Sequence, residues 1–228
     1  MDEMNVNTEK NLEYHRLTGG QRVYLAIKSV LDFVIALSAT AVLLIPMAVV
    51  ALAIKLDDHG PVFFTQERIG KDQKHFAMLK FRTMRVDTPH DRPTHLLTNP
   101  QQYITRIGAF LRKTSLDELP QLLNILAGQM SFVGPRPALW NQDDLNSQRE
   151  AYGVHQVRPG LTGWAQINGR DELEIPVKAA LDGEYVRNLG LKMDIKCFFG
   201  TFGIWFTGKG VVEGGTGEFQ RSSQERDK

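Results

Sequence analysis

The sequence predicts an α+β fold: a small, mixed, helix-rich cytoplasmic domain with an N-terminal Pro-kinked re-entrant membrane helix and interfacial amphipathic helices. Three observations carry that expectation. Residues 33–54 hold no charged side chain and are dominated by Val, Ile, Leu and Ala around Pro46. Two short stretches of strand composition follow, at 62–66 and 76–84. Apolar residues then recur at helical spacing from Tyr103 to Leu126 and again from Leu191 to Phe206.

At 228 residues the chain can bury a sizeable core in one domain or two small ones. Lysine plus arginine number 27 against 26 aspartates and glutamates, so no whole-molecule field favours nucleic acid as a partner. A single cysteine, Cys197, excludes an internal disulfide and fits a reducing compartment. The six histidines show no metal-ligand spacing and read as surface or loop residues.

In chain order, residues 1–20 are polar, without periodicity or a signal-peptide pattern, and read as a flexible lead. The membrane helix is expected over about 23–54. Arg16, Arg22 and Lys28 precede its apolar run, and Lys55, Arg68, Lys71 and Lys74 follow it, against the asymmetry of a simple span. Pro46 removes a ladder bond and can kink the helix. A helix that enters and returns to one face satisfies both observations; a kinked straight span stays open. Residues 57–61 are a turn cluster, and the strand pair after them ends in Lys80-Phe81-Arg82-Thr83-Met84-Arg85. Three cations and a hydroxyl there suit either phosphate oxygens or a solvated hairpin edge. A polar loop with three prolines, 87–100, precedes the helix of Tyr103, Ile107 and Leu111.

Two adjacent carboxylates, Asp117 and Glu118, stand at what reads as a helix start, after Arg112-Lys113 and before Pro120. Ser115 and Glu118 match a capping box, but Pro120 would then fall past the first turn, so Asp117 fits better as the cap. In either register the carboxylates lie about 100° apart around the helix, and both can flank one site. Leu119, Leu122, Leu123, Ile125 and Leu126 form an apolar helix face that stops at Gly128. In 131–137 two prolines hold Arg136 in a rigid loop. After a helical linker at 141–152, the glycine-rich stretch 157–170, ending in Arg170, permits close approach to a ligand without being a P-loop or a dinucleotide fingerprint. Leu191, Ile195, Phe198, Phe199, Phe202, Trp205 and Phe206 beside Lys192 and Lys196 read as an interfacial helix, with a core helix as the alternative. Residues 209–228 read as a loose tail.

Four motifs in order, behind a Pro-broken hydrophobic helix, then carry a resemblance: Lys80-Phe81-Arg82-Thr83-Met84, Ser115-Leu116-Asp117-Glu118-Leu119-Pro120-Gln121-Leu122, Ser131-Phe132-Val133-Gly134-Pro135-Arg136-Pro137, and Pro159-Gly160-Leu161-Thr162-Gly163-Trp164-Ala165-Gln166-Ile167-Asn168-Gly169-Arg170. Over roughly residues 20–208 the chain resembles the bacterial sugar transferase family, the monotopic phosphoglycosyl transferases. The resemblance implies one catalytic domain over 21–208 on the cytoplasmic face of the bacterial inner membrane. It implies transfer of a sugar-1-phosphate from a UDP-sugar to undecaprenyl phosphate, with release of UMP and a need for Mg2+. That reaction initiates exopolysaccharide, capsule, O-antigen or glycoprotein glycan synthesis. Asp117 is the implied nucleophile of a covalent phosphosugar intermediate, Glu118 its partner, and both are expected metal ligands. The resemblance also places a re-entrant helix at Pro46; Ile45 stands where the family often has serine, leaving the proline alone to support the kink. It does not identify the sugar.

The chemistry is consistent with that implication. A nucleotide diphosphate repels an anionic nucleophile, so cations must offset the charge before aspartate reaches phosphorus. Arg112, Arg136 and Arg170 are the stronger candidates for gripping phosphate, and Lys80 and Arg82 the weaker. Asp182 matches another family segment loosely and reads equally well as a surface helix acid. Expected partners are the UDP-sugar, undecaprenyl phosphate and membrane lipids, with homo-oligomers or later glycosyltransferases open. The rivals are a catalytically inactive membrane-anchored scaffold for glycan assembly, disfavoured by retention of the acidic pair and arginines, and a single-span protein that only binds nucleotide sugars.

Overall fold

The computed structural model describes residues 14–88, 100–169 and 172–207. Its first element, α1 (Gly19–Asp57), is a 39-residue helix, roughly 58 Å long at 1.5 Å per residue. It starts earlier than the apolar run because Thr18 and Gln21 form a reciprocal capping box. The end of the expected flexible lead is docked rather than loose. Leu17 packs on the core and its N–H donates to Gln156 Oε1, while Gln156 Nε2 donates to the His15 carbonyl at 2.6 Å. Pro46 lies inside α1, which is helical on both sides of it. The helix is long and apolar enough to cross a membrane. Most of its apolar side chains, among them Val30, Val34, Val42, Ile45, Val49 and Leu52, point outward and are exposed.

The antiparallel hairpin expected from composition is present as β1 (Phe63–Ile69) and β2 (His75–Phe81), with Phe64 opposite Lys80. Then come α2 (Arg106–Thr114), α3 (Gln121–Leu126), β3 (Ser131–Val133), β4 (Ala138–Leu139), α4 (Asp143–Ala151), β5 (Gly160–Thr162), α5 (Trp164–Ile167), α6 (Ile175–Arg187) and α7 (Leu191–Thr207). Strand order in the main sheet is β2-β1-β4, and β3 and β5 form a separate parallel pair. Strands of two or three residues are too short to show a period of two, so the sequence presents them only as a proline-held loop and a glycine-rich stretch.

The body packs along α1 at several levels. Ala36 meets a cluster with Phe76, Met78, Leu122, Ile125 and Met130, whereas Met47 and Ile54 meet Phe81 and Leu111. Gly108 lets α2 cross close to the end of the hairpin: a Cβ there would stand 2.0 Å from the Thr83 carbonyl oxygen.

Two expectations about charged residues are corrected by burial. Lys28 is not a free flanking cation: it sits 2.9 Å from Asp194 and 3.4 Å from Asp32, all three buried. Ser131 donates to Asp32, and Tyr24 and Tyr185 donate to Asp194, so this network ties α1 to β3, α6 and α7. Asp182 is not a surface acid; it is fully buried on α6 and accepts two bonds from the buried Arg149 of α4. In α7 the two faces differ. Met193 and Cys197 join the core, while Leu191, Ile195, Phe198, Phe199 and Phe202 are exposed. Trp205 and Phe206 lie outside the residues whose side chains are described.

Candidate active site

The acidic pair does not begin a helix. Helix α2 ends at Ser115, which takes a left-handed conformation at φ 57°, uncommon for a residue with a Cβ. A single 3₁₀ turn, Leu116–Glu118, follows, and then Pro120 serves as the N-cap of α3. Ser115 makes no side-chain cap bond, so the capping-box reading fails, and the cap belongs to Pro120 rather than Asp117. At that position the missing proline N–H costs nothing, because no helical bond would use it. Two helices thus meet at an acidic elbow. Leu116 and Leu119, on either side of the pair, join the cluster of Met47, Ile54, Phe81 and Leu111, which seats the elbow against α1.

Three cations converge on this elbow. Lys80 Nζ lies 2.8 Å from Glu118 Oε1 and 3.9 Å from Asp117 Oδ2. Arg136 Nη2 reaches the same Glu118 oxygen at 3.8 Å. Arg112 is held by its Nε, which donates to Thr83 Oγ1 at 2.9 Å, and its charge acts on Asp117. The Asp117 and Glu118 side chains keep 13% and 22% of their exposure, enough for a ligand to reach them. Burial pushes the Asp117 carboxyl above the usual aspartate range; the Glu118 charge adds to the rise, and Lys80 and Arg112 oppose it.

Alternation along the end of β2 separates residues that look alike in sequence. Lys80 turns to the acidic elbow and Phe81 into the α1 cluster. Arg82 is not brought to the elbow. It is buried, with its Nε donating to the Pro61 carbonyl and its terminal nitrogens to the Asp58 carboxylate, the Asp58 carbonyl and the Met84 carbonyl. That set of bonds makes it a brace between the end of α1 and the hairpin. Arg170 lies outside the described residues. The sequence reading missed the supporting roles of Thr83, which holds Arg112, and of Asn124, whose side chain meets β2. A threonine directly after Lys-Phe-Arg was the one visible hint of the first; nothing local pointed to the second.

Comparison with known proteins adds to this geometry. The family model described as bacterial sugar transferase matches residues 23–208. The UDP-glucose:undecaprenyl-phosphate glucose-1-phosphate transferase of Escherichia coli (strain K12) is 43% identical over 181 residues, covering 75% of this chain and 39% of that protein. The exopolysaccharide production protein PSS of Rhizobium leguminosarum bv. phaseoli is 42% identical over 189 residues, covering 78% of this chain and 94% of that protein. The UDP-galactose-lipid carrier transferase of Erwinia amylovora is 37% identical over 195 residues, covering 78% and 40%. The chain therefore spans about two fifths of the length of the E. coli and Erwinia relatives and nearly all of the Rhizobium one.

Proposed function

The chain belongs to the bacterial sugar transferase family, and from that premise we propose that it is a phosphoglycosyl transferase acting on a UDP-sugar and undecaprenyl phosphate. The observation that carries the reading is the acidic elbow itself: partly buried Asp117 faces Lys80, and the adjacent Glu118 faces Lys80 and Arg136, on a turn packed against the apolar α1. A carboxylate oxygen of Asp117 attacks the β-phosphorus of the donor, and the bond from that phosphorus to the bridging oxygen breaks, so UMP leaves with that oxygen. A phosphate oxygen of the lipid then attacks the aspartyl phosphosugar, forming the lipid diphosphate sugar and returning Asp117 as a carboxylate. Dividing the transfer in two lets a water-soluble donor and a membrane-bound acceptor use one small site in turn. Lys80, Arg112 and Arg136 offset the phosphate charge that would otherwise repel Asp117. Glu118 either orients the metal or assists deprotonation of the acceptor phosphate.

The residues fit magnesium in one particular way. The described residues contain no group of three or more His, Cys, Asp or Glu that could cage a metal. Two adjacent carboxylates suit an ion whose shell is completed by phosphate oxygens and water, so Asp117 and Glu118 would hold it together with the substrate. When bound, magnesium supplies neutralisation of the diphosphate.

The packing of α1 supports monotopic placement, with the body on one face of the membrane. The body meets this helix at Lys28 and Asp32, through Ala36, Ala39 and Leu43, and on past Pro46 at Met47 and Ile54. A body confined to one side of a bilayer meets both ends of a membrane helix when both ends lie on that side, the arrangement a re-entrant bend at Pro46 gives. Cysteines placed at Gly20 and Asp58 and labelled with a membrane-impermeant reagent test this; labelling from opposite sides would establish a span.

Mass spectrometry of the detergent-solubilised protein tests the chemistry. The protein is exposed to a panel of UDP-sugars, UDP-glucose and UDP-galactose first, with magnesium and without lipid acceptor. A sugar-phosphate mass added to the native chain and absent from Asp117→Asn is the expected result and names the donor. An adduct that survives in Asp117→Asn overturns the assignment of the nucleophile, and no adduct or UMP with any donor favours the scaffold reading.

A further inference from the structure

Strand β2 is the edge of its sheet, so one row of its backbone groups has no partner strand. Asn124, on the second turn's side of α3 and only 2% exposed, fills that place with its side chain. Its Oδ1 accepts from the Leu79 N–H at 2.9 Å and its Nδ2 donates to the Ala77 carbonyl at 2.8 Å, as a neighbouring strand would. The second Nδ2 hydrogen goes to Gln129 Oε1 at 2.7 Å. The orientation of the amide is fixed by these partners, because a flip would set N–H against N–H and oxygen against oxygen. The next residue on β2 is Lys80, whose ammonium meets Glu118 and Asp117. The helix that carries Asn124 begins three residues after Glu118.

We infer that Asn124 is a positioning residue for the reaction: by clamping the edge of β2 to α3 it fixes the distance between Lys80 and the Asp117–Glu118 turn. The inference rests on the phosphoglycosyl transferase reading. Apolar packing of Phe76 and Met78 on Leu122 and Ile125 also holds β2 to α3, but the Asn124 amide pins the β2 backbone directly beside Lys80, on the edge opposite β1. Asn124, itself buried, joins the two elements directly with two hydrogen bonds to β2, and a third to Gln129 steadies its amide.

The test is a double-mutant cycle on the single-turnover rate of adduct formation and UMP release, with thermal stability followed in parallel. Asn124→Ala is made alone and in a Lys80→Met background. Gln129→Ala, at an exposed position that loosens the same amide, serves if Asn124→Ala folds poorly. Ile125→Ala, which weakens the same helix through apolar packing, is the structural control. We expect Asn124→Ala to slow adduct formation about tenfold or more when Lys80 is present and by no more than about twofold when it is absent, with Gln129→Ala showing a smaller loss of the same pattern. Ile125→Ala should lower thermal stability without this dependence on Lys80. Equal fold-losses in both backgrounds would overturn the positioning role and leave the transferase reading standing. A native chain that forms no adduct at all would overturn the transferase reading, and the inference with it.

Discussion

Two charged clusters in this fold use the same residue types in different surroundings. At the acidic elbow, one lysine and two carboxylates keep 19%, 13% and 22% of their side-chain exposure. Where α1 joins the body, Lys28, Asp32 and Asp194 keep about 10% or less, and Ser131, Tyr24 and Tyr185 complete their hydrogen bonds. In the closed cluster the protein itself supplies the partners, so the charges fix how α1 sits on the body. In the open cluster the charges are gathered but still reachable, and burial pushes the pKa of the Asp117 carboxyl up instead of stabilising its charge. The difference separates a cluster that holds structure from one that awaits a ligand.

Substitutions in each cluster should break this contrast in opposite ways. Asp117→Asn is expected to have the largest effect, a loss on the order of 10⁴-fold or more in UMP release, as for the removal of other covalent nucleophiles. Its thermal stability should stay the same or rise, because the fold no longer has to bury a carboxylate it disfavours. A thermal shift of several degrees downward would show that the elbow is structural after all. In the closed cluster, Lys28→Met leaves two buried carboxylates facing each other and is expected to cost about 3–5 kcal/mol in denaturant unfolding in detergent. The fraction that remains folded should form adduct at a near-native rate.

Arg136→Ala sharpens the contrast more gently. It should slow adduct formation by about 10- to 100-fold, with Arg136→Lys recovering part of the rate, since a lysine keeps the charge but not the planar fork. The smallest expected effect concerns Arg82, the cation that belongs with structure although it sits in the same motif as Lys80. Arg82 holds the Asp58 carboxyl below the usual aspartate range. That contribution is fully present above the unfolded aspartate's titration and is lost as pH falls through the lower folded value. Asp58→Asn should therefore cost under about 1 kcal/mol at neutral pH, for a partly exposed pair, and should flatten the acid side of the stability profile. An acid limb unchanged by the substitution would remove the brace role.

What the sequence made legible was what repeats locally. The uncharged run of α1, the hairpin and the apolar faces of α2 and α3 all declare themselves by period or composition. The acidic pair stood out through its clustering, and Lys80, Arg112 and Arg136 do gather around it. Partnerships between distant segments were hidden. Lys80 and Arg82 are two residues apart and chemically alike, yet one reaches the elbow and the other Asp58, which only the position of the end of α1 decides. The acid of Asp182 reads as surface until Arg149 arrives from another helix. The left-handed Ser115, which turns the chain into the elbow, carries none of the usual glycine or asparagine signals.

The amide of Asn124 has a second effect, on how copies of this chain behave toward one another. An unpaired sheet edge is a template for adding strands from other molecules, and proteins usually guard it with charge, proline or a covering element. Here the covering element is α3, and Asn124 occupies the Ala77 and Leu79 groups at the middle of the strand. The outer edge of β2 is thereby closed to strand addition, a protection against aggregation where membrane proteins are concentrated in two dimensions.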